Sequence, residues 1–403
     1  MGADPLAAKR LLVLGAGPAQ LGLLRAARER GLYVIACDRD PAAPGLRFAD
    51  RRAIVSTEDE AGIERLARAE RVEGVIAPGI DWPVAIAARI AAHLGLPHPL
   101  DPETAGAAVS KLRQRERFDR AGVPQPAWQV VGADGDALEI GAPCVVKPPD
   151  RQGQRGLSLV REPDELAPAL GKAAEASRSG AILVEELVDG PEITVNAFSA
   201  AGVFHPLTVT DRLTADPPAF GVALAHAWPS AWTDDSVVVA ARAAVEALGI
   251  RNGPTYTQVR VVGGGSRVME VAARLGGGHD AELCRVALGI DLNGLALAAA
   301  LGLDAEVPEA QPAGGACVRF LVPPEGELEA VDGLDGACAE EGVVDAGVYR
   351  APGWTFGAFR GGADRAGFVI ARGDSRNDAL ARAGRAAERI RFLTADAAAR
   401  VDN

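Results

Sequence analysis

Aromatic side chains make up only 4% of this 403-residue chain, which leaves little with which to build a base-stacking surface. Positive charge is also short: the formal net charge is −12, and the arginines are interspersed with Asp and Glu along predicted helices. No basic field exists to hold a nucleic-acid backbone, so nucleic-acid binding is excluded as an expectation. A single bound nucleotide stays compatible with this charge, because a few local cations and backbone N–H groups suffice for it. Disulfide spacing is missing too. The five cysteines (Cys37, Cys144, Cys284, Cys317 and Cys338) are scattered and odd in number, which reads as reduced thiols in a cytoplasm. The first residues, MGADPLAAKR, lack a secretory apolar core, and the most apolar late stretch, 286–303, is broken by Asp291 and Asn293. No membrane span is expected.

What is present is an apolar fraction of 48%, drawn largely from Ala, Val, Leu and Ile. At this length it supports two or three domains with large cores, and it suits parallel sheets covered by Ala-rich helices. From Arg10 the chain reads as strand (RLLVL), glycine turn (GAGPAQLG), helix (LLRAARERG) and strand (LYVIAC) ending at Asp38. A strand near 53–55, a helix over 61–69, a strand over 74–77 and a helix over 84–94 follow. This alternation predicts an α/β fold that begins with a doubly wound domain over 1–103. Pro97, Pro99 and Pro102 interrupt it, and a charged helix leads into GVPQPAW, making 104–126 a linker region. Strands then dominate. The spans 127–188 and 189–403 read as two α+β parts, with an acidic linker near 304–313 and a closing helix over 376–393.

Gly15, Gly17 and Gly22, with Asp38 ending the next strand, invite a dinucleotide reading. The spacing argues against it, since GxGxxG needs glycine where Gln20 stands. A stronger constellation runs from Lys111 to Arg274. Lys111 lies on the linker helix, and Lys147 ends an apolar strand (APCVVKPPD) before a loop containing Gly153 and Gly156, which together make a sensible phosphate cradle. ILVEELVDGPE gives a strand-to-loop hinge with Glu185 and Glu192, able to present backbone groups to a base and a carboxylate to ribose hydroxyls. Gln258 and Glu270 lie on two apolar strands joined by a hairpin-like VGGGSR, where alternation on paired strands aims both at one point as oxygen donors for Mg²⁺. Arg274, followed by Gly276, Gly277 and Gly278, has the fixed charge and donor fork that match a developing acyl phosphate.

In this order the segments resemble the ATP-grasp superfamily over essentially the whole chain. The resemblance implies a pre-ATP-grasp domain (GAGPAQLG…DRDP) followed by a two-subdomain ATP-grasp fold: a lid part (VVKP…GQRG) and a catalytic part with a C-terminal βα segment. It implies Lys111 and Lys147 on ATP phosphates, Glu185, Glu186 and Val188 around adenine, and Glu192 on ribose. MEVAARLGGGHDAEL is similar to the family's metal and reaction segment, E-x-N-x-R, although Ala272 replaces the asparagine and Gln258 stands where a first acidic ligand is usual. Glu270 is then the one anionic metal ligand, with Mg²⁺ (Mn²⁺ as its alternative) also held by Gln258.

The implied activity is a ligase that phosphorylates a small carboxylate with ATP and couples it to an amine. RLGGGHDAEL and the C-terminal segment resemble amino-acid and dipeptide ligases, and the QLG of the first turn resembles carboxyaminoimidazole ribonucleotide synthetases, which activate bicarbonate. His279 is a candidate for orienting the carboxylate, and Tyr256, Arg260, Gly276 and Gly277 for lining the substrate site. A nucleotide sensor without turnover, admitted by Gln258 and Ala272, and a Rossmann oxidoreductase are the other readings. Partners are small molecules. Homodimerisation suits such an enzyme, but no segment marks an interface.

Overall fold

The computed structural model describes residues 4–132, 138–151, 155–216, 218–232, 234–263 and 265–395. Strand β1 (Arg10–Leu14) is apolar on both faces and has to be covered on both. Helix α1 (Leu21–Glu29) follows it, then β2 (Tyr33–Asp38), β3 (Arg51–Ile54), α2 (Glu60–Glu70), β4 (Gly74–Ile76) and α3 (Trp82–Leu94). The strands form a parallel sheet in the order β3-β2-β1-β4. Alternation sorts β1 between two cores. Leu11 and Val13 pack with Leu21 and Leu24 of α1, whereas Leu12 and Leu14 pack with Ile63 and Ala67 of α2 and Ile86 and Ile90 of α3.

The glycine turn after β1 is filled by its own chain. Buried Gln20 donates from Nε2 to the Pro78 carbonyl at 2.7 Å. Asp38 accepts the Ala16 N–H with Oδ2 (2.8 Å) and the Asp40 N–H with Oδ1 (2.9 Å). Both side chains that a dinucleotide site would need clear or free are occupied in holding the turn.

The linker opens with α4 (Pro102–Ala108), whose first N–H groups are accepted by Asp101, and continues with α5 (Lys111–Ala121), capped by Ser110. A small antiparallel sheet comes next: β5 (Trp128–Val131), β6 (Cys144–Lys147), β7 (Ser158–Val160), then α6 (Leu166–Ala176) and β8 (Ile182–Glu186), ordered β5-β8-β6-β7. The main sheet starts with β9 (Glu192–Ala200), β10 (Val203–Thr214) and β11 (Ala223–Trp228). After α7 (Asp235–Ala247) it takes β12 (Gly253–Val262) and β13 (Gly265–Ala272), then passes α8 (Asp280–Leu288) and α9 (Leu292–Ala300) to β14 (Gly315–Leu321). The remaining elements are β15 (Gly326–Asp332), α10 (Leu334–Cys338), β16 (Val343–Val348), β17 (Thr355–Phe356), β18 (Gly367–Gly373), α11 (Arg376–Arg389) and β19 (Arg391–Ala395).

The C-terminal strands do not stand apart. β14, β18 and β16 extend the main antiparallel sheet, ordered β13-β12-β9-β10-β11-β14-β18-β16, while β17-β15-β19 form a small fourth sheet. The closing helix is shorter than the sequence reading of 376–393. It ends at Arg389, and β19 pairs with β15 so that Phe392 packs with Val331, Leu328 and Phe356. Tertiary strand pairing overrides local helical periodicity there. The parallel domain is welded to the rest, since α1, α8 and α9 share one core. No helix among the described residues is long and apolar enough to cross a membrane.

Phe118 of α5 is fully buried in the core that joins the linker to α3 and α7. Phe118→Ala is expected to cost about 3–5 kcal/mol of stability. A fall in the urea unfolding midpoint measures it, and a loss below about 1 kcal/mol would contradict this packing.

Candidate active site

Lys147 sits at the end of β6, the middle partner of the small sheet, and its Nζ lies 2.7 Å from Glu185 Oε2. The other oxygen of Glu185 accepts from Arg115 Nε at 2.7 Å. Glu185 and Arg115 are 1% and 2% exposed, so this is an interior ion triad joining β6, β8 and α5. Arg115 is fixed further by the Met269 carbonyl (2.6 Å) and the Val268 carbonyl (3.2 Å) of β13. Burial pushes the Glu185 carboxyl up, yet the charges of Arg115 and Lys147 outweigh it and hold the group down at about 2. Burial, with the charges of Arg115 and Lys111, lowers the pKa of Lys147.

Lys111 is the first residue of α5. Its backbone N–H reaches the Pro149 carbonyl (3.2 Å), and its Nζ donates to the Arg151 carbonyl (2.8 Å) and lies 3.2 Å from Glu270 Oε1. Glu270 on β13 stands directly opposite Gln258 on β12, the pairing that alternation on two strands requires. Despite burial, the charges of Lys111, Lys147 and Arg274 hold the Glu270 carboxyl below its ordinary range. Lys111, Lys147, Glu185 and Glu270 therefore form one alternating charge cluster between the two sheets.

Other expected nucleotide residues are held differently. Gly153 lies outside the described residues. Gly156 has φ +75°, and a Cβ there would lie 2.6 Å from Ala176 Cβ and 3.1 Å from Pro148 Cδ, so packing of the loop on α6 demands glycine. Exposed Glu186 accepts the Ala127 N–H at 3.0 Å, and Val188 is buried. Glu192 is engaged by two guanidiniums on neighbouring strands: Arg212, and Arg260 at 3.1 Å. A ribose reaching this carboxylate has to compete with both.

Arg274 follows β13. Its Nε is bound by Asp81 Oδ1 (2.7 Å), its Nη1 donates to the Leu275 carbonyl (2.8 Å), and its guanidinium lies 5.5 Å from the Tyr256 ring centroid. Asp81 comes from the turn after β4, at the carboxyl end of the parallel sheet where open α/β sheets bind ligands. The glycines that follow permit close passage. A Cβ on Gly276 would lie 2.1 Å from Asp280 Oδ2, one on Gly277 3.0 Å from the Gly79 carbonyl, and one on Gly278 3.1 Å from His226 Nε2 and Phe320 Cζ. His279 adopts φ +57°, stacks 3.9 Å from Phe368, and shares a 2.7 Å hydrogen bond with Tyr349 Oη through Nε2. Both of its ring nitrogens face partners, since Nδ1 lies 3.5 Å from Glu282 Oε2.

Sequence reasoning missed Arg115, Asp81, Tyr349 and Phe368. Arg115 alone carried a signal, one helical turn after Lys111 on the same face. All five cysteines are free, and burial pushes Cys37, Cys284 and Cys317 up to about 12, so these three thiols are inert as nucleophiles.

Residues 140–282 match the ATP-grasp domain family and residues 319–395 match the L-amino acid ligase C-terminal domain 2 family. An uncharacterized protein, y4rH, of Sinorhizobium fredii is 30% identical over 384 residues, covering 91% of this chain and 79% of that one. The chain belongs to the ATP-grasp superfamily of carboxylate–amine ligases. The crystal structure of an L-amino acid ligase from Bacillus licheniformis superposes with a TM-score of 0.81 at 22% identity, covering 97% of this ATP-grasp chain and 100% of that one. A formate-dependent phosphoribosylglycinamide formyltransferase of Bordetella avium is 32% identical over 211 residues, covering 49% of this chain and 51% of the relative. The ATP-grasp chain thus aligns with about half the length of that formyltransferase.

The ion triad makes a pH prediction. The Glu185 carboxyl titrates at about 2 in the fold against an ordinary 4.5, so its stabilising contribution is full above 4.5 and is lost as pH falls towards 2. Urea midpoints measured from pH 6 to pH 2 should fall less steeply in Glu185→Gln than in the native protein. Parallel slopes would contradict the triad.

Proposed function

We propose that this ATP-grasp enzyme transfers the γ-phosphoryl group of ATP to a small carboxylate, an amino acid or related biosynthetic acid, and couples the acyl phosphate to an amine with release of ADP and phosphate. The observation that carries the reading is the cluster Lys111–Glu270–Lys147–Glu185 opening toward Arg274, joined to a C-terminal segment that matches an L-amino acid ligase domain. The C-terminal match also favours an amino-acid ligase over a bicarbonate-activating enzyme.

In this mechanism Lys111 and Lys147 exchange their carboxylate partners for phosphate oxygens as nucleotide enters, the backbone near Glu186 and Val188 meets adenine, and Glu192 meets ribose. Bound Mg²⁺ would supply charge neutralisation across the phosphates. Glu270 and Gln258 are the residues that would hold it. No cluster of three or more His, Cys, Asp or Glu among the described residues forms a metal cage. One carboxylate and one amide oxygen in facing register instead suit a metal carried largely by the phosphates and water, as Mg²⁺ prefers. Arg274, aimed by Asp81, neutralises the charge that develops on the transferring group. Positioning and fixed charge supply the acceleration, and no protein nucleophile is needed.

Purified protein incubated with ATP, Mg²⁺ and pairs of amino acids should release phosphate and ADP only when both substrates are present. Release of AMP and pyrophosphate would point to adenylation instead, and turnover only with bicarbonate and aminoimidazole ribonucleotide would move the enzyme to the carboxylating branch. Arg274→Ala should lower kcat by about 10²–10³, as the loss of one fixed transition-state donor does. Gln258→Glu should lower, and Gln258→Ala raise, the Mg²⁺ concentration for half-maximal rate; equal values would remove Gln258 from the metal site.

A further inference from the structure

On β10, β11, β14 and β18, which are neighbours in the main sheet, one face is continuous beneath the glycine segment after Arg274. Arg212 stands opposite His226, His226 opposite Val318, and Phe320, two residues on from Val318, opposite Phe368. Period-two alternation puts Arg212, His226, Phe320 and Phe368 on that one face. Gly278 closes on His226 and Phe320, and His279 lies on Phe368, so the face looks into the reaction segment.

Arg365, just before β18, folds over this face with its guanidinium carbon 3.7 Å from the Phe320 ring centroid. Its Nη2 donates to the Ala223 carbonyl at 2.6 Å, while its Nε is buried without a hydrogen-bond partner. The other arginines here have carboxylate partners: Arg212 and Arg260 share Glu192, and Arg274 pairs with Asp81. Among the described residues no carboxylate lies within ion-pair distance of Arg365. Asp280 acts on it only through space. Burial pulls Arg365 down to about 10, which leaves it charged at neutral pH. Arg212 Nε beside it is likewise buried without a hydrogen bond, while His226 Nδ1 faces the buried carboxylate of Asp280, with Oδ1 at 3.5 Å. The His226 ring is neutral, because burial and the charges of Arg212 and Arg365 outweigh Asp280 and lower it to about 4. A buried cation whose own Nε and the adjacent Arg212 Nε are both unsatisfied is costly unless an anion completes it.

We propose that Arg365, with Arg212 Nε beside it, binds a second carboxylate of a substrate, one that is not activated, and so selects substrates that carry it. This rests on the ligase reading above. The anion is the α-carboxylate of the amine substrate or a side-chain carboxylate of the acid, and the same recognition chemistry serves either. A planar guanidinium fork suits a carboxylate in a site that the Phe320 ring shields from water.

The test compares the full-length native enzyme with Arg365→Gln and Arg365→Lys by phosphate release. Each active pair is assayed with the amine as free amino acid and as its carboxamide, and with the acid as glutamate or aspartate and as glutamine or asparagine. The ratio of kcat/KM for carboxylate over amide should fall on the order of 100-fold in Arg365→Gln, in the one arm whose carboxylate Arg365 binds, and be partly restored in Arg365→Lys. A ratio equal to that of the native enzyme in both arms overturns the proposal while leaving the ligase reading intact. If the native enzyme releases no phosphate with any pair, the ligase reading falls, and thermal shifts decide the binding claim alone. Stabilisation by glutamate that exceeds that by glutamine, and is abolished in Arg365→Gln, supports it; equal shifts in both proteins overturn it.

Discussion

The interior carboxylate of Glu185, gripped by Arg115 from the linker helix and Lys147 from β6, ties the small sheet to α5, and through Arg115 to β13 of the main sheet. Removing one partner would leave an uncompensated charge in the interior, so the three elements are locked as a unit. The same helix that carries Arg115 begins with Lys111, which repeats the arrangement one turn away by pairing with Glu270. Lys111 and Lys147 are thus each paired with a carboxylate. On the proposed mechanism, entry of phosphate exchanges one anionic partner for another among charges that are already in place, which is the preorganisation that electrostatic catalysis requires.

A second joint works on the opposite side of the reaction segment. Asp81 of the parallel domain aims Arg274, Gly277 passes the Gly79 carbonyl, and the side chain of Glu282 lies so near Gly22 that a Cβ there would meet its oxygen at 1.6 Å. From the C-terminal side, Tyr349 and Phe368 clamp His279. The segment from Arg274 to His279 is therefore held by three remote parts of the chain, and its glycines answer to close approach as much as to any contact with substrate. His279, with both nitrogens engaged and its ring stacked, is built first as a positioning element.

Much of this was readable from residues in a row. The apolar run of β1 with its glycine turn, the strand ending in Lys147, and the facing pair Gln258 and Glu270 follow from local periodicity, which sequence carries directly. The neutral Gln258 and the missing asparagine at Ala272 were equally plain. Asp81, Tyr349 and Arg365 were not. Each is an ordinary surface-type residue in a loop or at a strand end, and acquires meaning only when a partner far away in sequence is brought to it: Arg274 to Asp81, His279 to Tyr349, Phe320 to Arg365. The overextended closing helix failed for a related reason, because β15 and not the local pattern decides the state of 391–395. That Arg212 and Arg260 flank Glu192 from both neighbouring strands likewise leaves no sign in the local sequence.

The central claim is that a substrate carboxylate becomes an acyl phosphate within the cleft between Lys147 and Arg274. Turnover of a carboxylate labelled with ¹⁸O in both oxygens tests it most directly, with the released phosphate analysed by mass. The account predicts that one ¹⁸O per turnover appears in inorganic phosphate and that the nucleotide product is ADP. Unlabelled phosphate, or label in AMP, would contradict it.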